Sequence, residues 1–100
     1  MKGYWISLYL TVESQENLKK YSQAVIPIIK SFGGVPIIRG GQHKTFDGED
    51  FSRTVIWEFP SYDDAMSCHE SNDYKSAWSY AESTTKRIMF IVEGVNQEQI

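Results

Sequence analysis

One hundred residues, 41% hydrophobic and 23% charged with both signs mixed, describe one folded domain with a single core and not a disordered chain. A net charge of −3 with no Lys or Arg run beyond a pair lacks the basic face that nucleic acid requires, and the single Cys68 rules out an intrachain disulfide and a cysteine zinc cluster. No apolar run approaches the ~20 residues of a membrane helix, and Met1-Lys2-Gly3 leads into alternation rather than a signal peptide, so a cytoplasmic protein with no nucleic-acid or membrane partner is expected.

Tyr4 to Val12 alternates with period two, the mark of a strand. Tyr4, Ile6, Leu8, Leu10 and Val12 form one face, and Trp5, Ser7, Tyr9 and Thr11 the other. Ser14 is placed to cap the next segment, where Leu18, Tyr21, Val25, Ile28, Ile29 and Phe32 recur at helical spacing. Pro27 inside that stripe removes a backbone donor and is expected to kink or divide the helix. Gly33-Gly34 is expected to end it with a left-handed residue.

Val35 to Phe46 reads as a second strand. Pro36 limits it to a strand start or an edge, and Gly40-Gly41 marks a bulge or a close backbone approach. Asp47-Gly48-Glu49-Asp50 is a turn, and Ser52 to Phe59 a third strand. Ser61 with Asp64 makes a variant capping box for a second helical region, which Ser71-Asn72 interrupts. A further helix carries Tyr74, Ala77, Trp78 and Ala81 along one side, and Lys86-Arg87 leads into a fourth strand, Ile88 to Val95. The result is one domain over 1–96 and a short polar tail at 97–100.

This β-α-β-β-α-β order is that of a ferredoxin-like α+β sandwich: a four-stranded antiparallel sheet in the order 4-1-3-2, with both helical regions on one face. Ile6, Leu8 and Leu10 are expected under the helices, with Val55, Trp57 and Phe59 from strand three and Ile88, Phe90 and Val92 from strand four. The bare face then carries Trp5, Tyr9, Ile56, Glu58, Met89, Ile91 and Glu93, with Ile37, Arg39 and His43 from strand two. A patch this apolar marks an interface, and stacking two sheets face to face would bury it in a homodimer. Counting back from Phe46 opposite Phe51 sets Arg39 opposite Glu58. Antiparallel pairing brings Trp5 and Glu93 into the same row. That row would form a polar belt at one end of a chamber suited to a small organic ligand.

Gly3-Tyr4-Trp5, Gly33-Gly34, Arg39-Gly40-Gly41, Glu58-Phe59-Pro60-Ser61, Ser71 with Tyr74, and Val92-Glu93-Gly94-Val95 fall in the order and spacing of one family. Through them nearly the whole chain resembles the bacterial family known as domain of unknown function 1330. The resemblance implies a dimeric α+β barrel, in the superfamily that also holds antibiotic-biosynthesis monooxygenases, and implies no known reaction. This chain departs from the family at Tyr80, near where members carry an Arg in the last helix.

Arg39 and Glu58 are read either as binders of an anionic or carbonyl ligand, since Arg presents a planar donor fork, or as a structural ion pair. Glu93 either joins that site or meets the partner subunit. His43 is an acid–base candidate or an exposed bystander. Trp5 and Tyr9 either stack an aromatic ligand or pack the dimer. His69 follows Cys68 directly, and adjacent helix positions point apart, so they make no catalytic pair. No metal-ligand spacing, phosphate loop or nucleophile motif occurs, so no cofactor is expected. Two functional classes stand: a cofactor-independent enzyme acting on a small molecule, oxygenase- or isomerase-like, and a non-catalytic binding or structural dimer.

Overall fold

Three serines set where the helices begin. The hydroxyls of Ser14, Ser61 and Ser71 accept the backbone N–H of Asn17, Asp64 and Tyr74 at 3.1, 3.0 and 3.1 Å, each meeting a donor that the first turn leaves unpaired. They open α1 (Gln15–Ser31), α2 (Tyr62–Glu70) and α3 (Asn72–Trp78) in a computed structural model that describes residues 1–96 and Glu98. The other residues of the expected tail at 97–100 lie outside the described ones. Ser71 also donates to the Cys68 carbonyl at 2.7 Å, so one side chain closes α2 and opens α3.

α1 runs unbroken through Pro27. Pro27 and Gln23 both lie on the exposed side of the helix, where water can meet the carbonyl that proline leaves without a donor. The helix ends as its sequence requires: Gly33 takes φ +88°, and Gly34 N–H returns to the Ile29 carbonyl at 3.0 Å.

The strands are β1 (Gly3–Val12), β2 (Val35–Arg39), β3 (Arg53–Phe59) and β4 (Thr85–Glu93). They form one antiparallel sheet in the order β2-β3-β1-β4, the expected topology. The helices cover one face. Its core joins Trp5, Tyr9, Trp57 and Phe59 of the sheet to Leu18, Tyr21, Val25 and Ile29 of α1 and to Ala65, Cys68, Tyr74 and Ala77 beyond.

The structure reverses two of the expected faces. Gly3, Trp5, Ser7 and Tyr9 are the buried residues of β1, while Tyr4, Ile6 and Leu8 are only half-buried. In β4, Phe90 and Ile88 stand opposite Ile6 and Leu8, whereas Ile91 and Met89 stand opposite Trp5 and Ser7. Trp5, Tyr9, Met89 and Ile91 therefore lie under the helices, and Ile88, Phe90 and Val92 lie on the bare face. Ile88 is 50% exposed there. Both faces of β1 are apolar, so alternation fixes its period and not its direction. The aromatic set goes inward because Trp and Tyr fill more of the space beneath a helix than Ile or Leu.

The second strand is shorter than expected. Gly40 and Gly41, at φ +75° and +88°, turn the chain away after Arg39. A Cβ on Gly40 would lie a tight 3.3 Å from Nε of Arg53, whose side chain would have to yield slightly, so it is the positive φ that calls for glycine there. Val35, not Arg39, stands opposite Glu58. A shift between Pro36 and Ile38 then places Arg39 opposite Val55 and turns it to the helix side.

Candidate functional site

Tyr9 lies directly opposite Arg53 in β3 and directly opposite Arg87 in β4. Opposed residues share a face, so one row of the helix-covered side reads Arg53, Tyr9, Arg87. Arg87 is the better enclosed. Its Nη2 donates to the Tyr74 hydroxyl at 2.6 Å, and its Nη1 reaches the hydroxyls of Tyr21 and Tyr9 at 3.3 and 3.4 Å. Its Cζ lies 3.7 Å from the centre of the Trp78 ring, a stacked cation–π contact. Burial opposes the charged form of Arg87, but the surrounding phenol oxygens more than offset it, and its pKa lies above the usual arginine value. The group is a permanent cation.

None of Arg39, Arg53 and Arg87 has a carboxylate oxygen within 4.0 Å among the described residues; the ion pairs there are Lys2–Glu58, Lys20–Glu16 and His43–Asp50. Arg87 opens onto a cleft lined by His69, Tyr74, Trp78, Glu82 and Met89. On the other side of Tyr9 and Tyr21, a cavity of about 30 Å³ lies between α1 and the sheet. Trp5, Ser7, Ser22, Arg39 and Arg53 contribute to its walls.

The expected site residues divide. Trp5, Tyr9 and Arg39 line this cavity, on the face opposite to the one expected. Trp5 is 1% exposed, with its ring 4.8 Å from Tyr74 and 5.6 Å from His69. Glu58 lies on the bare face, where it accepts the Tyr4 hydroxyl at 3.1 Å and pairs loosely with Lys2 at 4.0 Å. It meets neither Arg39 nor Trp5, whose partner in β3 is Trp57. Glu93 is exposed at the sheet end opposite Gly3. His43 closes the β2–β3 loop by stacking on Phe51 at 4.9 Å and approaching Asp50 at 3.6 Å. The polar belt therefore does not form: β2 pairs with β3 four residues away from the hairpin count, which leaves Val35 opposite Glu58, the shift in β2 turns Arg39 to the helix side, and the reversal of β1 moves Trp5.

Sequence reasoning passed over Tyr21, Arg53, Tyr74, Trp78 and Arg87 as site residues. One signal for Arg87 was available: it lies two residues before Met89, on the alternate set of β4, and that set faces the helices once Trp5 does. Cys68 packs in the core at 0% exposure, and burial pushes its thiol up to about 12. Burial likewise raises the phenols of Tyr9, Tyr21 and Tyr74, although Arg87 pulls each of them down. All four groups have folded values above their unfolded ones. The stability they carry is complete below about pH 9 and is lost as pH rises toward the folded values. Calorimetry from pH 8 to pH 11 should show a falling Tm above about pH 9, and a smaller fall in Cys68→Ala. A flat profile would contradict the burial of these groups.

The family model described as Domain of unknown function (DUF1330) matches residues 2–95. The chain belongs to the DUF1330 family. No curated protein matches it in sequence. Among solved structures, the DUF1330 chain is similar to a protein of unknown function from Rhodopseudomonas palustris at TM-score 0.75 and 14% identity, covering 95% of this chain and 83% of that one. It is also similar to a dimeric ferredoxin-like protein of unknown function from Bacteroides fragilis at TM-score 0.60 and 17% identity, covering 93% and 96%. A third is SnoaB, a cofactor-independent oxygenase from Streptomyces nogalater, at TM-score 0.59 and 3% identity, covering 96% and 95%. At these identities the likeness concerns the fold alone, and it is ferredoxin-like. Among the described residues of the DUF1330 chain, no helix is long and apolar enough to cross a membrane.

Proposed function

We propose that this DUF1330 chain works as a homodimer, bare sheet face against bare sheet face, and that each subunit holds a small organic anion on its helix-covered side with Arg87 as the anchor. The observation that carries the ligand reading is the guanidinium of Arg87, held by three neutral phenols and an indole with no carboxylate within 4.0 Å among the described residues. A cation withdrawn from water without a counter-charge is costly, and a bound carboxylate offsets that cost through charge-assisted hydrogen bonds. The dimer reading is supported by the apolar bare face of Ile6, Leu8, Ile56, Ile88, Phe90 and Val92, and by the dimeric description of the Bacteroides fragilis neighbour.

Trp78 touches the anchor, so indole fluorescence reports its occupancy. Hexanoate should change the emission saturably, and Arg87→Gln should weaken its binding by about tenfold or more. Light scattering on the same sample should give about twice the 11.5 kDa chain mass. Equal hexanoate affinity in wild type and Arg87→Gln would overturn the anchor.

His69 favours a second, catalytic reading, oxygenase- or isomerase-like: its imidazole lines the Arg87 cleft and supplies a base beside the anchored anion. Native mass spectrometry of protein from its own host separates the two readings. One retained molecule of a single mass marks a binding protein, and a substrate–product pair marks an enzyme.

A further inference from the structure

Arg53 mirrors Arg87 across Tyr9, each directly opposite it in the neighbouring strand. The two arginine backbones are thus about two strand spacings apart, roughly 10 Å. Among the described residues, Nε of Arg53 is buried with no hydrogen-bond partner. A buried donor left unmade is destabilising, and Arg53 is one of the residues that line the cavity of about 30 Å³, together with Ser7, Tyr9, Tyr21, Ser22 and Arg39. Among the described residues those walls offer hydroxyls and the guanidinium of Arg39, and no carboxylate. Two cations flank one phenol in a single row, and among the described residues neither has an acidic partner within 4.0 Å.

We infer that the ligand of this site carries two acidic groups, one for Arg87 and one for Arg53. The inference rests on the reading above that Arg87 anchors an anion, and it adds the substrate class: an α,ω-dicarboxylate or a molecule of the same charge spacing. Tyr9 and Tyr21 form the wall between the two arginines. They line the cavity and touch Arg87 through long contacts of 3.4 and 3.3 Å, whereas Tyr74 is held at 2.6 Å. For the middle of the ligand to pass between the cations, Tyr9 and Tyr21 must swing aside, giving up their long contacts to Arg87 and the packing of Tyr21 on Tyr74 and Trp78. The cavity as it stands admits only a water or two, at ~10–15 Å³ each, so it is a receiver for one acid head and not for the whole molecule. Arg is suited to that task because its donor fork matches both carboxylate oxygens.

The test compares acids of equal carbon number on the full chain by indole fluorescence: succinate, adipate and suberate against butyrate, hexanoate and octanoate. The best diacid should bind about ten- to a hundredfold more tightly than its monoacid counterpart. Arg53→Gln should bring that ratio to about one. Arg53→Lys, which keeps a cation in place, should retain part of the preference. Circular dichroism of both variants separates a lost subsite from a lost fold. A ratio near one in the wild type, or a ratio unchanged in folded Arg53→Gln, would overturn the second subsite while leaving a monoacid anchor at Arg87 intact. No binding of any of the six acids would overturn both.

Discussion

Replacing Trp5 with alanine should lower the unfolding free energy of the subunit by about 3–5 kcal/mol. The indole is 1% exposed and sits among rings that cannot all close in on the space it leaves. Phe59 stacks 6.0 Å away, Tyr74 meets it edge-on at 4.8 Å, and His69 does so at 5.6 Å. Part of the loss is the transfer of a large apolar group, and part is a cavity under α2 and α3 that relaxes only partly. Urea titration should show a lower midpoint with little change in slope. A loss under about 1 kcal/mol, as at a surface position, would mean that Trp5 is not under the helices.

Leu8→Glu should have its effect between subunits instead. Leu8 lies on the bare face, between Thr54 and Ile88 in the neighbouring strands. In an isologous dimer one substitution enters the interface twice. Each copy would place a carboxylate in an aliphatic contact with no cation to meet it, which costs several kcal/mol. At about 3 kcal/mol per copy the dimer weakens by roughly four orders of magnitude. Light scattering at micromolar concentration should then return the 11.5 kDa chain mass, with the circular dichroism of the folded subunit retained. A folded variant that is still dimeric would show that the sheets do not meet at Leu8.

The fold was legible because its signals are local. Serine caps, the Gly33-Gly34 stop and the period-two run from Tyr4 each act within a few residues. The direction of the sheet was not legible, because Trp5 and Leu8 are both good core residues and alternation treats them alike. That choice depends on how much space the helices leave, which is a tertiary quantity. The site followed the same division. Trp5, Tyr9 and Arg39 converge on one cavity, but they reach it through the face opposite to the one assumed. Glu58 was paired with Arg39 by counting back from Phe46 opposite Phe51, but β2 ends at Arg39 and β3 begins at Arg53, so both phenylalanines lie in the loop and Val35 takes the place opposite Glu58. Where a ladder stops inside a loop of that length depends on tertiary packing, which the local pattern does not carry. Arg87 went unnoticed because a basic residue opening a strand reads as solvated until the aromatic rings around it are in place.

β1 is a party wall. From Gly3 to Leu10 its residues alternate between fully buried on the helix side and half-buried on the bare face, with none fully exposed. Leu8 looks into the space a partner would fill, and Tyr9, its neighbour in the chain, looks into the arginine row. A substitution in this stretch is therefore felt by two rooms, and the strand has almost no neutral positions through which a lineage can drift. Variation should instead collect on the outer side of α1, with the exposed Lys19, Lys20, Gln23, Pro27 and Lys30, and in the loop after Gly41, where Phe46 is 83% exposed. Among close relatives, the sequence of β1 should be the slowest to change.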